Sequence, residues 1–176
     1  MSDYDNAQTA LNLPKKDSEI LGLAFGKRQV VPGEHIPKTE AQLAPNLSLT
    51  QATGTYIAVC IDLDAPFPCF SFLGPILHWI QSGLKPTTTV NGTTRLRATD
   101  TPFISDYVGP APPPPSRPHR YVFLLYEQPE GFNYTKFAPP DGKKMGMWPR
   151  IRYDLKTFEK EAHLGPIVAS NFFLSN

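Results

Sequence analysis

The sequence predicts one β-rich domain, spanning residues 1–176, with a short helix near each end. Its 176 residues suit a single domain that can bury a proper core. Twenty prolines and twelve glycines, with an aromatic share of 11%, favour strands joined by long, proline-shaped loops. Three apolar runs of strand length, at 56–61, 121–126 and 167–174, form the expected framework because they are rich in β-branched and aromatic residues.

The first fifty residues carry weaker signals. Residues 4–13 have alanine and leucine at helical spacing, and Pro14 ends this predicted helix. Residues 18–25 fit either a helix or a strand. A strand starts at 29–31, and residues 43–49 form another short strand, which Pro45 places at a sheet edge because proline cannot donate to a ladder.

The run at 56–61 predicts a buried strand that ends in carboxylates. Residues two apart on a strand share a face, so Asp62 and Asp64 point the same way and Leu63 points oppositely. After a loop, His78 opens a second strand at 78–81. Residues 82–100 are polar and read as a loop around a turn at 91–92. The acids and histidine form either a capped strand end with a core histidine or one shared site.

A proline-rich segment precedes the central strand. Residues 109–111 are Gly-Pro-Ala, and prolines follow at 112–115. Such a stiff segment suits a pocket wall or a surface arm, and as a bare string it also fits a ligand of an SH3-like module. In the strand that follows, His119 and Tyr121 share one face and Arg120 takes the other.

The last fifty residues combine a loop, a helix and a strand. Residues 128–152 form a loop whose large apolar side chains either cover the core or line the rim of a pocket. Asp154 caps a helix with Leu155, Phe158 and Ala162 on one face, and Gly165 with Pro166 ends it.

Composition restricts the class of function. The net charge of +1 without a basic stripe argues against a nucleic-acid partner. No apolar run approaches the roughly 20 residues of a membrane span, so no stable membrane insertion is expected, and the N-terminus lacks a secretory signal pattern. Cys60 and Cys69 are too few for a disulfide framework or a zinc site, which favours a reducing, cytoplasmic compartment. We expect neither a metal nor a cofactor.

Four motifs in order resemble the phosphatidylethanolamine-binding protein family, with helical N-terminal residues like those of its fungal members. The motifs are a DPDAP-like Asp62-Leu63-Asp64-Ala65-Pro66, then His78-Trp79-Ile80, then Gly109-Pro110-Ala111-Pro112-Pro113 leading into His119-Arg120-Tyr121, and finally Leu164-Gly165-Pro166-Ile167-Val168-Ala169-Ser170-Asn171-Phe172-Phe173. The matches run in the family's order from about residue 43 to residue 174, so the resemblance spans nearly the whole domain.

The resemblance implies an antiparallel β-sandwich core with short peripheral helices and a small pocket for phosphate-like anions or lipid head groups. The positions that match the family's pocket are Asp62, Asp64, His78, Gly109, Pro110, Ala111, Pro112, His119 and Tyr121. Loop amides, the histidines and a tyrosine hydroxyl can donate to a phosphoryl oxygen. The acids have a supporting role, because they orient the histidines and favour imidazolium.

The chain departs from the family pattern at three places. Leu63 stands for the usual proline between the acids, and Pro110 removes an amide donor from the loop. The insert at 67–77, FPCFSFLGPIL, is apolar where many relatives are basic and polar. An apolar rim suits a hydrophobic ligand better than a charged head group.

Two functions follow from the resemblance. The first is a non-catalytic binding or regulatory protein, with a small anionic or hydrophobic ligand and a serine carboxypeptidase or a signalling protein as partner. The alternative is an enzyme in a biosynthetic pathway. It would use Asp62, Asp64, His78, His119 and Tyr121 for acid-base isomerisation or cyclisation of a hydrophobic, polyketide-like substrate. A hydrolase is not expected, because the chain has no GxSxG elbow and no serine with an evident base beside it.

Overall fold

The computed structural model describes residues 5–12 and 16–176, and it confirms a mainly β, antiparallel protein with short peripheral helices near its ends. Pro14, which was predicted to end the first helix, lies outside the described residues. The helices are α1 (Asp5–Asn12) and α2 (Leu155–Glu161). The strands are β1 (Gly22–Phe25), β2 (Arg28–Gln29), β3 (Asn46–Thr50), β4 (Tyr56–Asp62), β5 (Ile76–Val90), β6 (Thr93–Ala98), β7 (Phe103–Ser105), β8 (His119–Glu127) and β9 (Ile167–Ser175).

The described strands form one antiparallel sheet in the order β2-β1-β3-β6-β5-β4-β8-β9, with β7 paired to β5. The chain therefore has one curled sheet where the resemblance implied a sandwich of two. The curl is closed on either side of the β1–β2 hairpin, where Ile20 and His35 form isolated parallel bridges with Ser170 and Leu174 of β9. Among these contacts, the amides of Leu21 and Ile36 donate to the carbonyls of Ser170 and Leu174 at 3.1 and 2.8 Å.

Two predictions about strands are wrong. Residues 82–100 are not a loop, because β5 continues to Val90 and turns through Asn91 and Gly92 into β6. Threonine supports strand backbone without an apolar pattern, so this polar hairpin shows no alternation of apolar and polar residues that would predict it. The strand near Pro45 is not at an edge, since β3 pairs with both β1 and β6. Pro45 precedes the strand and interrupts neither ladder. The undecided segment 18–25 forms a short 3-10 turn followed by β1.

Hydrophobic residues pack on both faces of β4, which is why this strand is buried throughout. Ala58 and Cys60 belong to the cluster inside the curl, together with side chains of β1, β3, β8 and β9. Val59 and Ile61 belong to a second cluster on the outer face. Helix α2 covers this outer face, and Asp154 caps it as predicted, since its Oδ1 accepts from the Thr157 amide at 2.9 Å.

The apolar residues of the loop at 128–152 both cover the core and line a pocket, which are the two roles that the sequence left open. Phe132 and Phe137 stack with ring centroids 5.7 Å apart, and Phe137 meets Phe158 of α2, so this part covers the outer core. Further along, Met147 lines a cavity at the end of the sheet where β4 stops, and Trp148 is 84% exposed. No helix among the described residues is long and apolar enough to cross a bilayer.

Candidate functional site

Antiparallel pairing brings the predicted site residues to one end of the sheet. Strand β4 lies between β5 and β8, so its last residue, Asp62, stands opposite Ile76 at the start of β5 and opposite Tyr121 near the start of β8. His78 and His119 occupy the same ends of their strands. The carboxylate and the imidazoles therefore meet as the shared-site interpretation proposed, although Asp62 and His119 are 57 residues apart in the sequence.

Asp62 and His119 form a buried pair. His119 Nδ1 donates to Asp62 Oδ2 at 2.8 Å, and its ring is 1% exposed. The other oxygen, Oδ1, accepts from the Asp64 amide at 2.8 Å, which fixes the carboxylate plane. Burial opposes the charged imidazole, but the hydrogen bond and charge of Asp62 outweigh it and raise the pKa of His119 above its ordinary value of 6.5.

His78 has a different environment, although it is also buried. Its Nδ1 donates to the Val108 carbonyl at 2.6 Å, and the Val108 amide donates back to the His78 carbonyl at 2.9 Å. Burial is the largest influence and lowers the pKa of His78 below 6.5, against the opposing charge of Asp62. Because Nδ1 carries the proton, Nε2 is an acceptor in the neutral ring. The expectation that the acids favour imidazolium therefore agrees with the pKa of His119 and not with that of His78.

Tyr121 completes the polar side of the site. Its ring meets the His78 ring edge-to-face at 5.0 Å and stacks on Phe173 at 5.3 Å, inside the curl. Burial, with the nearby charge of Asp62, raises the pKa of Tyr121 far above its ordinary value. The phenol therefore stays protonated and has a hydrogen to donate.

Asp64 does not line the site, although it was predicted there. Its carboxylate turns to Arg120, which donates from Nε to Oδ2 at 2.8 Å and from Nη2 to Oδ1 at 2.7 Å. The Arg120 amide adds a third bond at 2.8 Å. Strand β4 ends at Asp62, so the strict alternation that placed both acids on one face no longer holds at Asp64. Leu63, between them, is buried in the outer cluster.

Gln42, which the sequence did not reveal, holds the glycine-proline loop in place. Its Nε2 donates to the carbonyls of Lys38 and Pro110, at 2.7 and 3.1 Å. A Cβ on Gly109 would lie 2.9 Å from the Gln42 Cα, so only glycine permits this approach. Gly109, Ala111 and Pro112 face the site, whereas Pro110 is turned toward Gln42 and does not line it.

These residues surround a cavity of about 300 Å³ whose walls are mostly apolar. Its lining comprises Asp62, Ala65, Pro66, Leu73, Ile76, Leu77, His78, Val108, Gly109, Ala111, Pro112, Pro113, His119, Tyr121, Met147, Arg150 and Ile151. Of the proline-rich segment, Pro112 and Pro113 line the cavity, so this part forms a wall, which is one of the interpretations of the segment. The apolar insert contributes Leu73, Ile76 and Leu77 to the lining. Phe70 and Phe72 of the same insert stay exposed, with their ring centroids 5.0 Å apart.

Arg150 is a buried cation that sequence reasoning missed. Its guanidinium pairs with Asp106 at 2.5 Å and donates to the Asp106 and Leu77 carbonyls at 3.0 and 3.3 Å. It thereby ties the loop at 145–152 to β5 and to the strand before the glycine-proline loop. Asp106 and Arg150 are 44 residues apart, and no local sequence pattern links residues that distant, so the pair could not be predicted.

Ser116 is a third residue that was missed, after Gln42 and Arg150, and here the expectation that no serine has a base beside it was wrong. Its Oγ lies 2.8 Å from His119 Nε2, so one serine does have a base beside it. The same oxygen lies 2.9 Å from the Arg117 carbonyl. The spacing of three residues to His119 was the available signal. Among the described residues no group of three or more His, Cys, Asp or Glu is placed to hold a metal ion.

The fold and the site define a class: mainly antiparallel β proteins with an acid–histidine pair at a cavity in the open end of a curled sheet. The sequence profile of the phosphatidylethanolamine-binding protein family matches residues 26–168. The chain belongs to this family.

Two relatives from fungi are similar along most of this chain. A carboxypeptidase Y inhibitor of Saccharomyces cerevisiae is 32% identical over 137 residues, which cover 73% of this chain but only 62% of the relative. The phomoidride biosynthesis cluster protein N of Talaromyces stipitatus is 31% identical over 92% of this chain and 86% of its own length.

Solved structures agree with this assignment. A carboxypeptidase Y inhibitor in complex with its cognate proteinase superposes with a TM-score of 0.75 at 25% identity, covering 99% of this chain and 93% of the inhibitor. The phosphatidylethanolamine-binding protein of Plasmodium vivax gives a TM-score of 0.68 at 16% identity over 100% of this chain and 97% of that chain, and shows the shared fold.

Proposed function

We propose that this chain is a binding and regulatory protein whose cavity takes a small ligand with an apolar body and a hydroxylic head group, neutral or singly anionic. The observation that carries the proposal is the separation of polarity in the cavity. Asp62, His78, His119 and Tyr121 lie together, and the prolines, the insert and Met147 supply apolar walls. A volume of about 300 Å³ lies at the small end of ligand pockets.

The polar groups specify the head group. Tyr121 offers a phenolic hydrogen, so the ligand needs an oxygen acceptor. His78 Nε2 offers a lone pair, so the ligand also needs a hydroxyl donor. A singly protonated phosphate ester or a carboxylic acid has both. The Asp62 carboxylate disfavours a fully ionised head group, because a buried negative charge repels a second one.

The direct test is calorimetric titration with phenyl phosphate, inorganic phosphate and phenol at about pH 5.5, where a phosphate monoester with a second pKa of about 6 is mostly singly anionic. Mass spectrometry of any molecule that co-purifies accompanies it. We expect phenyl phosphate to bind at least tenfold more tightly than either fragment, since it alone fills both parts of the cavity. Equal affinity for inorganic phosphate, or no binding of phenyl phosphate, would contradict the proposal.

At the protein level we propose that the partner is a serine carboxypeptidase, in a cytoplasmic setting that suits the free thiols Cys60 and Cys69. The 32% identity with the carboxypeptidase Y inhibitor supports this partner. The test is inhibition of purified carboxypeptidase Y by the full chain and by a variant without residues 1–4. We leave α1 in place because Ala7 is fully buried in the outer core. The absence of inhibition by the full chain would exclude this partner.

A second candidate function is acid-base catalysis, which the two histidines favour. Groups whose pKa values are pushed apart in one cavity suit the roles of acid and base. Here His119, with its raised pKa, would donate a proton, and neutral His78 would accept one. The relative from the phomoidride biosynthesis cluster supports a role in a biosynthetic pathway. Turnover of a hydrophobic enone that survives both His119→Ala and Asp62→Asn would exclude this candidate.

A further inference from the structure

Ser116, His119 and Asp62 form a chain of hydrogen bonds at the cavity wall. Ser116 Oγ lies 2.8 Å from His119 Nε2, and His119 Nδ1 lies 2.8 Å from Asp62 Oδ2. The carboxylate is buried and its second oxygen is held by the Asp64 amide, so the orientation of the imidazole is fixed. A nucleophile within reach of a base, and a base oriented by a third group, are the geometric requirements for covalent acyl transfer.

We propose that Ser116 is the nucleophile of an esterase activity towards small esters with an apolar acyl group. This goes beyond the binding function, although it uses the same His119–Asp62 pair. The Ser116 amide donates to the Pro113 carbonyl at 2.8 Å, in a turn that brings the hydroxyl to His119. Ser116 does not itself line the cavity, but its contact His119, with Pro112 and Pro113, forms the adjoining wall. An ester carbonyl at Oγ can therefore place its acyl group against that wall.

The reaction is balanced by the groups present and by water. Ser116 Oγ bonds to the carbonyl carbon as His119 Nε2 takes the hydroxyl proton. The ester C–O bond then breaks, and the leaving alkoxide takes that proton and departs as the alcohol. Water attacks the acyl-serine in the same way, with His119 as base, and releases a carboxylic acid and the free serine. The amide of Arg117 bonds to no group among the described residues, which leaves it free to donate to the carbonyl oxygen.

The second contact of Ser116 predicts how the activity depends on pH. When His119 is an imidazolium, Nε2 donates to Oγ, and the hydroxyl hydrogen goes to the Arg117 carbonyl at 2.9 Å. When His119 is neutral, the hydroxyl donates to Nε2 and the serine is activated. Asp62 and Asp64 favour the protonated form of His119, while His78 and Tyr121 face it as neutral rings. The activity should therefore rise with pH through the raised pKa of His119.

The experiment measures labelling by a fluorophosphonate probe and hydrolysis of p-nitrophenyl butyrate, each from pH 5 to 10, in the full chain. We expect one adduct, mapped by mass spectrometry to Ser116, with a labelling rate that rises with pH. Ser116→Ala should abolish the label, and Asp62→Asn should slow hydrolysis about 100-fold or more. The control is Ser71→Ala, two residues before the cavity-lining Leu73. Its hydroxyl has no hydrogen bond to a histidine among the described residues, so its loss should change neither rate.

Ser116 is half-exposed, so its replacement by alanine tests the chemistry without removing a core residue. No adduct, an adduct on another residue, or unchanged hydrolysis in Ser116→Ala would overturn the esterase proposal. Titration with phenyl phosphate, run on the same samples, separates the two ideas. Binding without labelling would reject acyl transfer alone and leave the ligand proposal standing.

Discussion

The cavity contains two buried histidines whose Nδ1 atoms have different partners. His119 donates to the carboxylate of Asp62, whereas His78 donates to the carbonyl of Val108. Burial disfavours the charge on both rings, but only a full negative charge at hydrogen-bond distance outweighs it. The partner of one nitrogen therefore decides which imidazole is the acid and which is the acceptor.

Asp62→Asn should remove this difference and have the largest effect on stability. The asparagine keeps the shape of the side chain but loses the charge, so the pKa of His119 should fall towards that of His78. Loss of a charge-assisted, buried hydrogen bond should lower the free energy of unfolding by about 1.5–3 kcal/mol. Urea unfolding measures the loss, and NMR of the histidine ring protons measures the pKa.

The matched control for this variant is Asp141→Asn, which removes an exposed carboxylate 3.9 Å from Lys143 and should change stability by about 0.5 kcal/mol or less. Should His119 in Asp62→Asn titrate as it does in the unchanged chain, the carboxylate would not be the cause of its raised pKa.

The pH dependence of stability should have opposite signs for the two rings. His119 has a raised pKa in the folded state, so its contribution is full below pH 6.5 and is lost as the pH rises through that raised pKa. His78 has a lowered pKa, so it stabilises the fold above pH 6.5, and this contribution is lost as the pH falls towards its folded-state pKa. A tenfold change in the proton affinity of either ring on folding corresponds to about 1.4 kcal/mol of stability.

The measurement is a series of urea unfolding curves from pH 4 to 9, compared with Asp62→Asn and His78→Asn. In a plot of the free energy of unfolding against pH, each variant should reduce one slope. Asp62→Asn should reduce the loss of stability at alkaline pH, and His78→Asn should reduce the loss at acid pH. If a single variant reduced the loss of stability at both acid and alkaline pH, the two histidine rings would titrate as a coupled pair.

His78→Asn should change ligand affinity more than stability. The Asn amide nitrogen can replace Nδ1 as donor to Val108, so the free energy of unfolding should change by about 1 kcal/mol or less, whereas the Nε2 acceptor is lost from the cavity. We expect the affinity for phenyl phosphate to fall about tenfold, as measured by calorimetry. His78→Gln is the complementary variant, because it keeps an amide near Nε2 and loses the bond to Val108. Unchanged affinity in the Asn variant would mean that Nε2 does not contact the ligand.

Among these site variants, Ser116→Ala should have the smallest effect on the pKa difference between His119 and His78. It tests whether Asp62 alone causes that difference. It removes the partner of Nε2 and keeps that of Nδ1, so His119 should still titrate at a higher pH than His78 in NMR spectra. The expected loss of stability is about 0.5–1 kcal/mol. If His78 instead titrated at the higher pH in this variant, the contact with Ser116, and not the one with Asp62, would be the main cause of the raised pKa of His119.

Local patterns predicted those parts of the site that lie on apolar strands. The run before Asp62 and the strand that begins at His119 were evident because β-branched and aromatic residues cluster there, and the family resemblance linked them. The same reasoning missed the polar hairpin of β5 and β6, since threonine-rich strands half-exposed to solvent show no apolar alternation.

Contacts between distant residues were beyond the reach of local patterns. Arg150 meets Asp106, and Gln42 meets Pro110, only after the sheet has curled. The position of Asp64 was mispredicted for a related reason: strand periodicity was extended past the last strand residue, where Arg120 on the neighbouring strand captures the carboxylate. The serine beside His119 was close in sequence, but its approach depends on a turn after Pro113.

The chain segment that runs along β9 has a consequence for self-association. A bare sheet edge offers unpaired amides and carbonyls on which another strand can form, and this is a route to fibrils. Here the edge of β9 is already bonded to the segment around Leu21, Gly33 and Ile36, and the opposite end of the sheet is β2, with two residues. The described sheet therefore offers little template for strand addition, so we expect a partner protein to bind this chain without extending its sheet.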